Sequence, residues 1–279
     1  MSRKPDTVPP GHHVLPDYRV VKLLSHGRRI DTYDVYSVER DCRCVVKILR
    51  SDRRDDLRVR EAVVQEGTLL KQLTHPHLVR GYEVVEEPVP AMVLETLGGA
   101  TLGAVIEEGP LSLSDSAELG LQLASVLGYL HRKGWLHLDV KPANVVVESG
   151  RATLIDLSLA GRPGSGRPGA GTRGYLSPEQ AIGDDLSPAS DVWGLGVTLL
   201  ESLTGELPFG DEATWDSKRR LPVVHRRPPG PPTLAPGLPD DYRDLLLRCL
   251  ERDPAARPSL LEVRTSLRGM LDDTDVAVC

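Results

Sequence analysis

In two stretches of the first hundred positions apolar residues recur at every second residue. From Tyr18 to Val38, and again from Cys44 to Leu49, β-branched and aromatic side chains alternate with polar ones. That period predicts antiparallel strands with one face buried. A charged run from Arg50 to Arg60 leads into an amphipathic stretch that predicts a helix near 60–73. His75-Pro76 closes it, because the residue before a proline avoids helical geometry. Strand-like pieces follow at 80–86 and 91–95, and Gly98-Gly99 breaks the pattern. This half reads as a small, mostly β lobe with one helix.

Beyond Gly99 the period lengthens. Leu119, Leu123, Leu127 and Leu130 recur at helical spacing. Ser112-Leu113-Ser114-Asp115 has the form of a capping box. His131-Arg132-Lys133-Gly134 supplies the cations and the glycine that suit a helix C-terminus. Ser187-Pro188 predicts another helix start, with proline at the first position and an end near Gly205. Val192, Trp193, Leu195, Val197, Leu199, Leu200 and Leu203 surround most of that helix, which makes it a buried strut. Pro/Gly-rich stretches at 161–171 and 228–239 read as loops, and further helices are expected near 240–252 and 259–269. Residues 1 to about 14, polar and rich in Pro and His, read as flexible. There is no internal repeat.

Composition narrows the class. With 279 residues, 40% hydrophobic and 27% charged, the chain has room for one large domain or two lobes. A net charge of -6 argues against a general nucleic-acid binder. No apolar run approaches the roughly 18 residues that would span a bilayer, and MSRKPDTVPPGHH lacks the apolar core of a secretion signal. Cys42, Cys44, Cys249 and Cys279 have no second pair at metal spacing, so they read as free thiols in a reducing cytoplasm. His26, His75, His77 and His225 read as structural or solvated. The basic groups Lys218-Arg219-Arg220 and Arg226-Arg227 read as a solvated loop, with docking of an acidic partner as the alternative.

Candidate chemistry centres on His137-Leu138-Asp139-Val140-Lys141-Pro142-Ala143-Asn144. Phosphoryl transfer requires neutralised phosphates, a bound divalent cation and an oriented hydroxyl. Seven further blocks accompany this segment in order. They are Cys44-Val45-Val46-Lys47; Glu66, nine residues before His75; Met92-Val93-Leu94-Glu95-Thr96-Leu97; Asp156, twelve residues after Asn144; Gly171 to Glu179; Asp191 to Gly196; and Asp253 to Pro258. Together they resemble the protein kinase superfamily, over roughly residues 17–270. The composition and Ser177-Pro178-Glu179-Gln180 resemble the bacterial eukaryotic-type (Hanks-type) serine/threonine kinases.

The resemblance implies an α+β, bilobal fold: a flexible tail over 1–16, a small β-rich lobe over about 17–97, a larger helical lobe over about 98–270, and a tail over 271–279. It implies ATP with Mg²⁺, or Mn²⁺, as cofactors and proteins bearing Ser/Thr hydroxyls as substrates. Lys47 would grip the nucleotide phosphates and pair with Glu66; Glu61 competes for that role, but its offset from His75 is wrong. Leu70, one turn beyond Glu66, would pack behind the metal-binding segment. Leu94 would be the gatekeeper, and backbone groups of Glu95 and Leu97 would bond adenine. Leu24, Gly27, Thr32, Val45 and Val146 would complete the nucleotide site. Asp139 would accept the hydroxyl proton, Lys141 would sit near the transferring phosphate, and Thr172 would contact both. Asn144 and Asp156 would hold the metal. Glu179 would pair with Arg257, and Asp191 would bond the catalytic-loop backbone.

Three departures stand out. The family's Gly-x-Gly-x-x-Gly maps onto Ser25-His26-Gly27-Arg28-Arg29-Ile30, which keeps one glycine; Arg28 and Arg29 are either solvated or a partial compensation by charge. Leu138 replaces an arginine that would pair with a phosphorylated loop, which implies activity independent of that switch. Asp156-Leu157-Ser158 replaces Asp-Phe-Gly, removing a flexible glycine. Three functions therefore stand: an active serine/threonine protein kinase, a pseudokinase scaffold, and a small-molecule kinase of the aminoglycoside-phosphotransferase type. The last class lacks the Ser177 to Glu179 and Asp191 to Gly196 blocks. Without a membrane span or sensor segment, the input signal is expected from the cytoplasm or another chain.

Overall fold

The computed structural model describes residues 7–210, 221–225 and 238–276. Lys218-Arg219-Arg220, Arg226-Arg227, Cys279, the side chain of His225 and the 228–239 loop up to residue 237 lie outside the described residues. The chain divides into two compact units, one running through Gly98 and including Asp156–Ser158, the other holding the remainder.

The first unit contains β1 (His13–Leu15), β2 (Tyr18–His26), β3 (Ile30–Ser37), β4 (Cys42–Leu49), α1 (Leu57–Gln72), β5 (Gly81–Val85) and β6 (Ala91–Glu95). All sheet pairings are antiparallel, in the order β1-β2-β3-β4-β6-β5. Leu15, Tyr18, Val20, Tyr33, Val35, Cys44, Val46, Ala91 and Val93 form one buried cluster. The two-residue period that sends Cys44 and Val46 into this cluster sends Val45 and Lys47 to the opposite face. Across the strands, Val45 is opposite Leu94, and Lys47 is opposite both Thr32 and Met92. Helix α1 is capped by the Asp56 side chain, which accepts from the Val59 N–H. It ends at Gln72, with Leu73 already extended, just before His75-Pro76.

One expectation for this unit is corrected. His13–Leu15, assigned to a flexible tail, is a strand paired with β2. Leu15 is buried, and the Val8 N–H donates to the Tyr33 hydroxyl at 3.0 Å. Proline and histidine content gives no signal for a partner strand brought alongside by the fold.

The second unit contains β7 (Ala100–Thr101), α2 (Leu102–Glu108), α3 (Leu113–Arg132), β8 (Val145–Glu148), β9 (Arg151–Leu154), β10 (Gly164–Ser165), α4 (Pro178–Ile182), β11 (Asp185–Leu186), α5 (Pro188–Thr204), α6 (Pro222–His225), α7 (Asp240–Cys249) and α8 (Leu260–Val276). Strand β8 pairs with β7 and β9. At the start of α3, Ser112 Oγ accepts from the Asp115 N–H at 3.1 Å. The Asp115 carboxylate turns to the Ser112 hydroxyl at 2.6 Å rather than to its backbone, so only half of the capping box forms. Helix α5 begins at the Ser187 cap with Pro188 in its first turn, and Gly205 closes it in the left-handed conformation at φ 72°. Its side chains from Ser190 to Leu200 are buried, Trp193 fully so.

The expected 161–171 loop is not wholly irregular. Gly164 and Ser165 pair with Leu186 and Asp185, and Leu136 bridges to Gly161. Two-residue strands are too short to leave a periodic trace. Helix α7 stops at Cys249, before the expected 252, and α8 runs to Val276 through Gly269 and the expected C-terminal tail, since no proline interrupts it. Among the described residues no helix is long and apolar enough to cross a membrane.

Candidate active site

In the first unit a lysine lies between two carboxylates. Lys47 Nζ, on the β4 face opposite the core, donates to Glu66 Oε1 at 2.8 Å and to Asp156 Oδ2 at 3.0 Å. Glu66 is on the buried face of α1, whereas Glu61 is exposed. Leu70 is fully buried one turn beyond Glu66. Burial alone would push the Lys47 ammonium down, but the flanking carboxylates more than reverse this and hold it protonated. Burial pushes the Glu66 carboxyl up, opposed by Lys47 and by the backbone N–H of Leu157. Asp156 is held well below the usual carboxylate range in spite of its burial, by Lys47 and by Ser158. Both the N–H and the hydroxyl of Ser158 donate to Asp156 Oδ1, at 2.9 and 2.5 Å. Asp156–Ser158 belongs to the first unit, to which the Lys47 bond ties it, although sequence reasoning assigns it to the larger lobe.

The same unit carries the other residues assigned to the nucleotide, except Val146. Leu24 on β2 is exposed, Thr32 and Val45 are half-buried, and Leu94 is buried. Leu97 is half-buried. The Glu95 N–H donates to the Arg80 carbonyl at 3.0 Å, so that group is already used within the protein. At the β2–β3 turn the Gly27 N–H donates to the Ile30 carbonyl at 3.0 Å, and a Cβ on Gly27 would lie 2.7 Å from that oxygen. The one glycine kept from the phosphate-covering motif is therefore required by the turn itself. His26 Nδ1 bonds Asp31 Oδ1 at 2.7 Å, and Arg50 Nη1 donates to the Gly27 carbonyl at 2.7 Å. Arg28 and Arg29 are exposed.

In the second unit the 136–144 loop is shaped from below by α5. Asp191 Oδ1 accepts from the Leu138 N–H at 2.7 Å; its Oδ2 accepts from the His137 N–H at 2.8 Å and lies 2.7 Å from His131 Nε2. Leu138 is held at φ 64°, a conformation costly for a branched side chain. Asp139 Oδ1 accepts from the N–H and the hydroxyl of Thr172, at 3.0 and 2.7 Å. Its Oδ2 accepts from Lys141 Nζ at 2.6 Å and from Asn144 Nδ2 at 3.1 Å. Lys141 Nζ also donates to Thr172 Oγ1 at 2.5 Å. The Asn144 amide nitrogen bonds the Asp139 carbonyl as well, at 2.9 Å, which leaves its oxygen as the donor for a cation. Val146 follows, half-buried, on β8.

Below this group, Glu179 and Arg257 form a bidentate pair at 2.7 and 2.9 Å, with Ser190 Oγ also donating to Glu179. Burial tends to raise the Glu179 carboxyl, but Arg257 keeps it below its ordinary value.

Sequence reasoning missed three side chains here. His131 reads as a helix-terminal cation, yet it reaches Asp191. Gln180 reads as part of a motif ending, yet its Nε2 donates to the Leu138 carbonyl at 2.9 Å. Ser158 reads only as a lost glycine, yet it fixes Asp156. Each bond joins positions with no fixed spacing, except Ser158, whose hydroxyl two residues beyond an aspartate is a legible turn signal. Among the described residues no cluster of three or more His, Cys, Asp or Glu side chains could hold a metal ion. A cation held by Asp156 or Asn144 would thus need water or phosphate oxygens as further ligands, which suits Mg²⁺.

A sequence model of the protein kinase domain matches residues 18–266. The chain is 32% identical over 258 residues to the SNF1-related protein kinase catalytic subunit alpha KIN12 of Arabidopsis thaliana, covering 90% of this chain and 51% of that protein. It is 33% identical over 242 residues to the serine/threonine-protein kinase PkaA of Streptomyces coelicolor, covering 83% and 44%. It is 31% identical over 272 residues to the serine/threonine-protein kinase PknB of Mycobacterium tuberculosis, covering 91% and 43%. The chain spans about half the length of the curated relatives it matches.

Proposed function

This chain belongs to the protein kinase family, and from that premise we propose that it transfers the γ-phosphoryl group of ATP to serine and threonine hydroxyls of proteins. The observation that carries the reading is the environment of Asp139. A threonine hydroxyl lies 2.7 Å from its carboxylate and 2.5 Å from Lys141 Nζ, the surroundings an acceptor hydroxyl needs. The bacterial relatives PkaA and PknB are named serine/threonine-protein kinases, which supports the same acceptor class.

ATP with a divalent cation supplies the phosphoryl group and much of the charge neutralisation. Asn144 and Asp156 are the oxygen donors assigned to Mg²⁺, with Mn²⁺ as the alternative. Lys47, kept protonated by Glu66 and Asp156, offers a fixed cation to phosphate oxygens. Asp139 orients the incoming hydroxyl and takes its proton as the new P–O bond forms and the P–O bond between the γ-phosphorus and the bridging oxygen breaks, with ADP as the leaving group. Lys141 balances the charge that collects beside Asp139. The reaction belongs in the cytoplasm, where ATP and free thiols are at home; the described cysteines Cys42, Cys44 and Cys249 form no disulfide.

The test is transfer of radiolabel from ATP to a generic protein substrate with Mg²⁺ or Mn²⁺, beside Lys47→Met and Asp139→Asn. Label lost in both variants is the expected outcome. No variant-sensitive label with either metal, from protein that still gains thermal stability with ATP, would leave the pseudokinase reading in its place.

A further inference from the structure

The segment that delivers Thr172 to Asp139 has little reason to be ordered by itself. Between Leu159 and Thr172 it carries Gly161, Pro163, Gly164, Gly166, Pro168, Gly169 and Gly171. Glycine-rich backbone loses more freedom on ordering than any other. Tethers must offset that loss. Gly161 exchanges two backbone hydrogen bonds with Leu136, at 2.8 and 3.0 Å, and a Cβ on Gly161 would lie 3.4 Å from Leu138 Cδ1. Further along, the Gly169 N–H donates to the Gln180 carbonyl at 2.9 Å.

Arg162 supplies a tether of a different kind. Its guanidinium lies 3.9 Å from the centre of the Trp135 ring, and Nη1 donates to the carbonyls of Lys133 and Gly134 at 3.1 and 2.9 Å. Those carbonyls stand just past the end of α3, where helix carbonyls lack internal partners and the helix dipole is negative. Arginine suits this position because one planar group can stack on an aromatic face and donate in its own plane. Gly134, at φ +76°, leaves the room: a Cβ there would lie 2.7 Å from Arg162 Nη1.

We propose that Arg162 is a positioning residue, whose guanidinium, stacked on Trp135 and capping the end of α3, holds residues 159–172 so that Thr172 meets Asp139. The inference rests on the kinase reading for its effect on catalysis, but its structural half can be read without any activity. The Thr172 N–H donates directly to Asp139 Oδ1 at 3.0 Å, so hydrogen exchange at that amide reports the placement.

The experiment compares wild type, Arg162→Ala, Arg162→Lys and Trp135→Leu by amide exchange and by steady-state kinetics on a protein substrate. In Arg162→Ala, Thr172 exchange should rise and kcat/KM for the protein substrate should fall about fivefold, the scale of one exposed cation–π contact. KM for ATP should not change. Arg162→Lys, which keeps the charge but not the planar stack, should fall between, and Trp135→Leu should follow Arg162→Ala. Unchanged exchange at Thr172 in Arg162→Ala overturns the proposal. So does faster exchange with unchanged kcat/KM from an active wild type. If wild type transfers no phosphate, the proposed function fails, and exchange at Thr172 alone decides whether Arg162 positions it.

Discussion

Four donors meet the Asp139 carboxylate: the N–H and hydroxyl of Thr172, Lys141 Nζ and Asn144 Nδ2. A carboxylate offers about four lone-pair positions, so on the proposed kinase reading a substrate hydroxyl must displace a donor already in place. The Thr172 hydroxyl is the neutral, freely rotating one, and it is the group expected to yield and then to rebond. Thr172→Val keeps the shape and the backbone N–H but removes that hydroxyl, while Thr172→Ser keeps it. Loss of one hydrogen bond to a charged group, about 1.5–3 kcal/mol, should lower kcat of Thr172→Val by roughly ten- to a hundredfold. Thr172→Ser should stay close to wild type. Initial-rate kinetics on a protein substrate decide the matter, and equal rates for the two variants would remove the hydroxyl from the mechanism. Lys47, Asp139, Lys141, Asn144 and Asp156 can be singled out in the sequence because they are charged and hard-oxygen groups at intervals that resemble the protein kinase pattern. The structure joins Lys47 to Asp156 and Asp139 to Lys141 and Asn144. His131 and Gln180 cannot be singled out this way, because their partners, Asp191 and the Leu138 carbonyl, are brought close only by the packing of α3, α4 and α5.

Element boundaries follow the local chemistry of the chain where a cap or a breaker is present. Ser187-Pro188 and Gly205 set the ends of α5, and His75-Pro76 stops α1 a few residues early. Strands β1, β10 and β11 were not legible, since two or three residues hold no period and owe their pairing to a distant partner. What joins α4 to α5 and the Asp253 to Pro258 turn is the Glu179–Arg257 pair, with Ser190 as a third member. Removing one member of a buried pair leaves a charge without a partner, so Glu179→Gln should cost about 3–5 kcal/mol of stability at neutral pH. Because the folded Glu179 carboxyl lies below its ordinary value, its contribution is present above the unfolded carboxyl value of 4.5. It is lost as pH falls through the folded value. Melting temperatures of wild type and Glu179→Gln should therefore converge as pH drops below that range. A difference that stays constant down to acid pH would assign the loss to packing rather than to the charged pair.

Across the whole molecule, the expected two-lobe division near residue 97 is close to the observed break after Gly98, but Asp156–Ser158 joins the first unit across more than fifty intervening residues. Nothing local marks that crossing; it is accompanied by the bond from Lys47 to Asp156, a long-range pairing that no periodic pattern encodes. Long-range contacts also bear on control of the segment after Asp156. Its hydroxyls before Thr172 are Ser158 and Ser165. Ser158 donates to Asp156, and Ser165 donates to Asp185 at 3.3 Å, next to Asp184. A phosphate on either serine would meet carboxylates, so added charge there would repel rather than order. Leu138 offers no cation to reverse that balance, whereas Arg162 is already committed to Trp135 and the end of α3. Phosphatase-treated protein should then transfer phosphate from the first turnover without a lag, and Ser165→Ala should keep its rate within about twofold. The check is an initial-rate assay of treated and untreated protein, with mass spectrometry to verify that no phosphate remains on Ser158 or Ser165. A lag that preincubation with ATP abolishes, or a large loss of rate in Ser165→Ala, would mean that a covalent phosphate orders the segment after all.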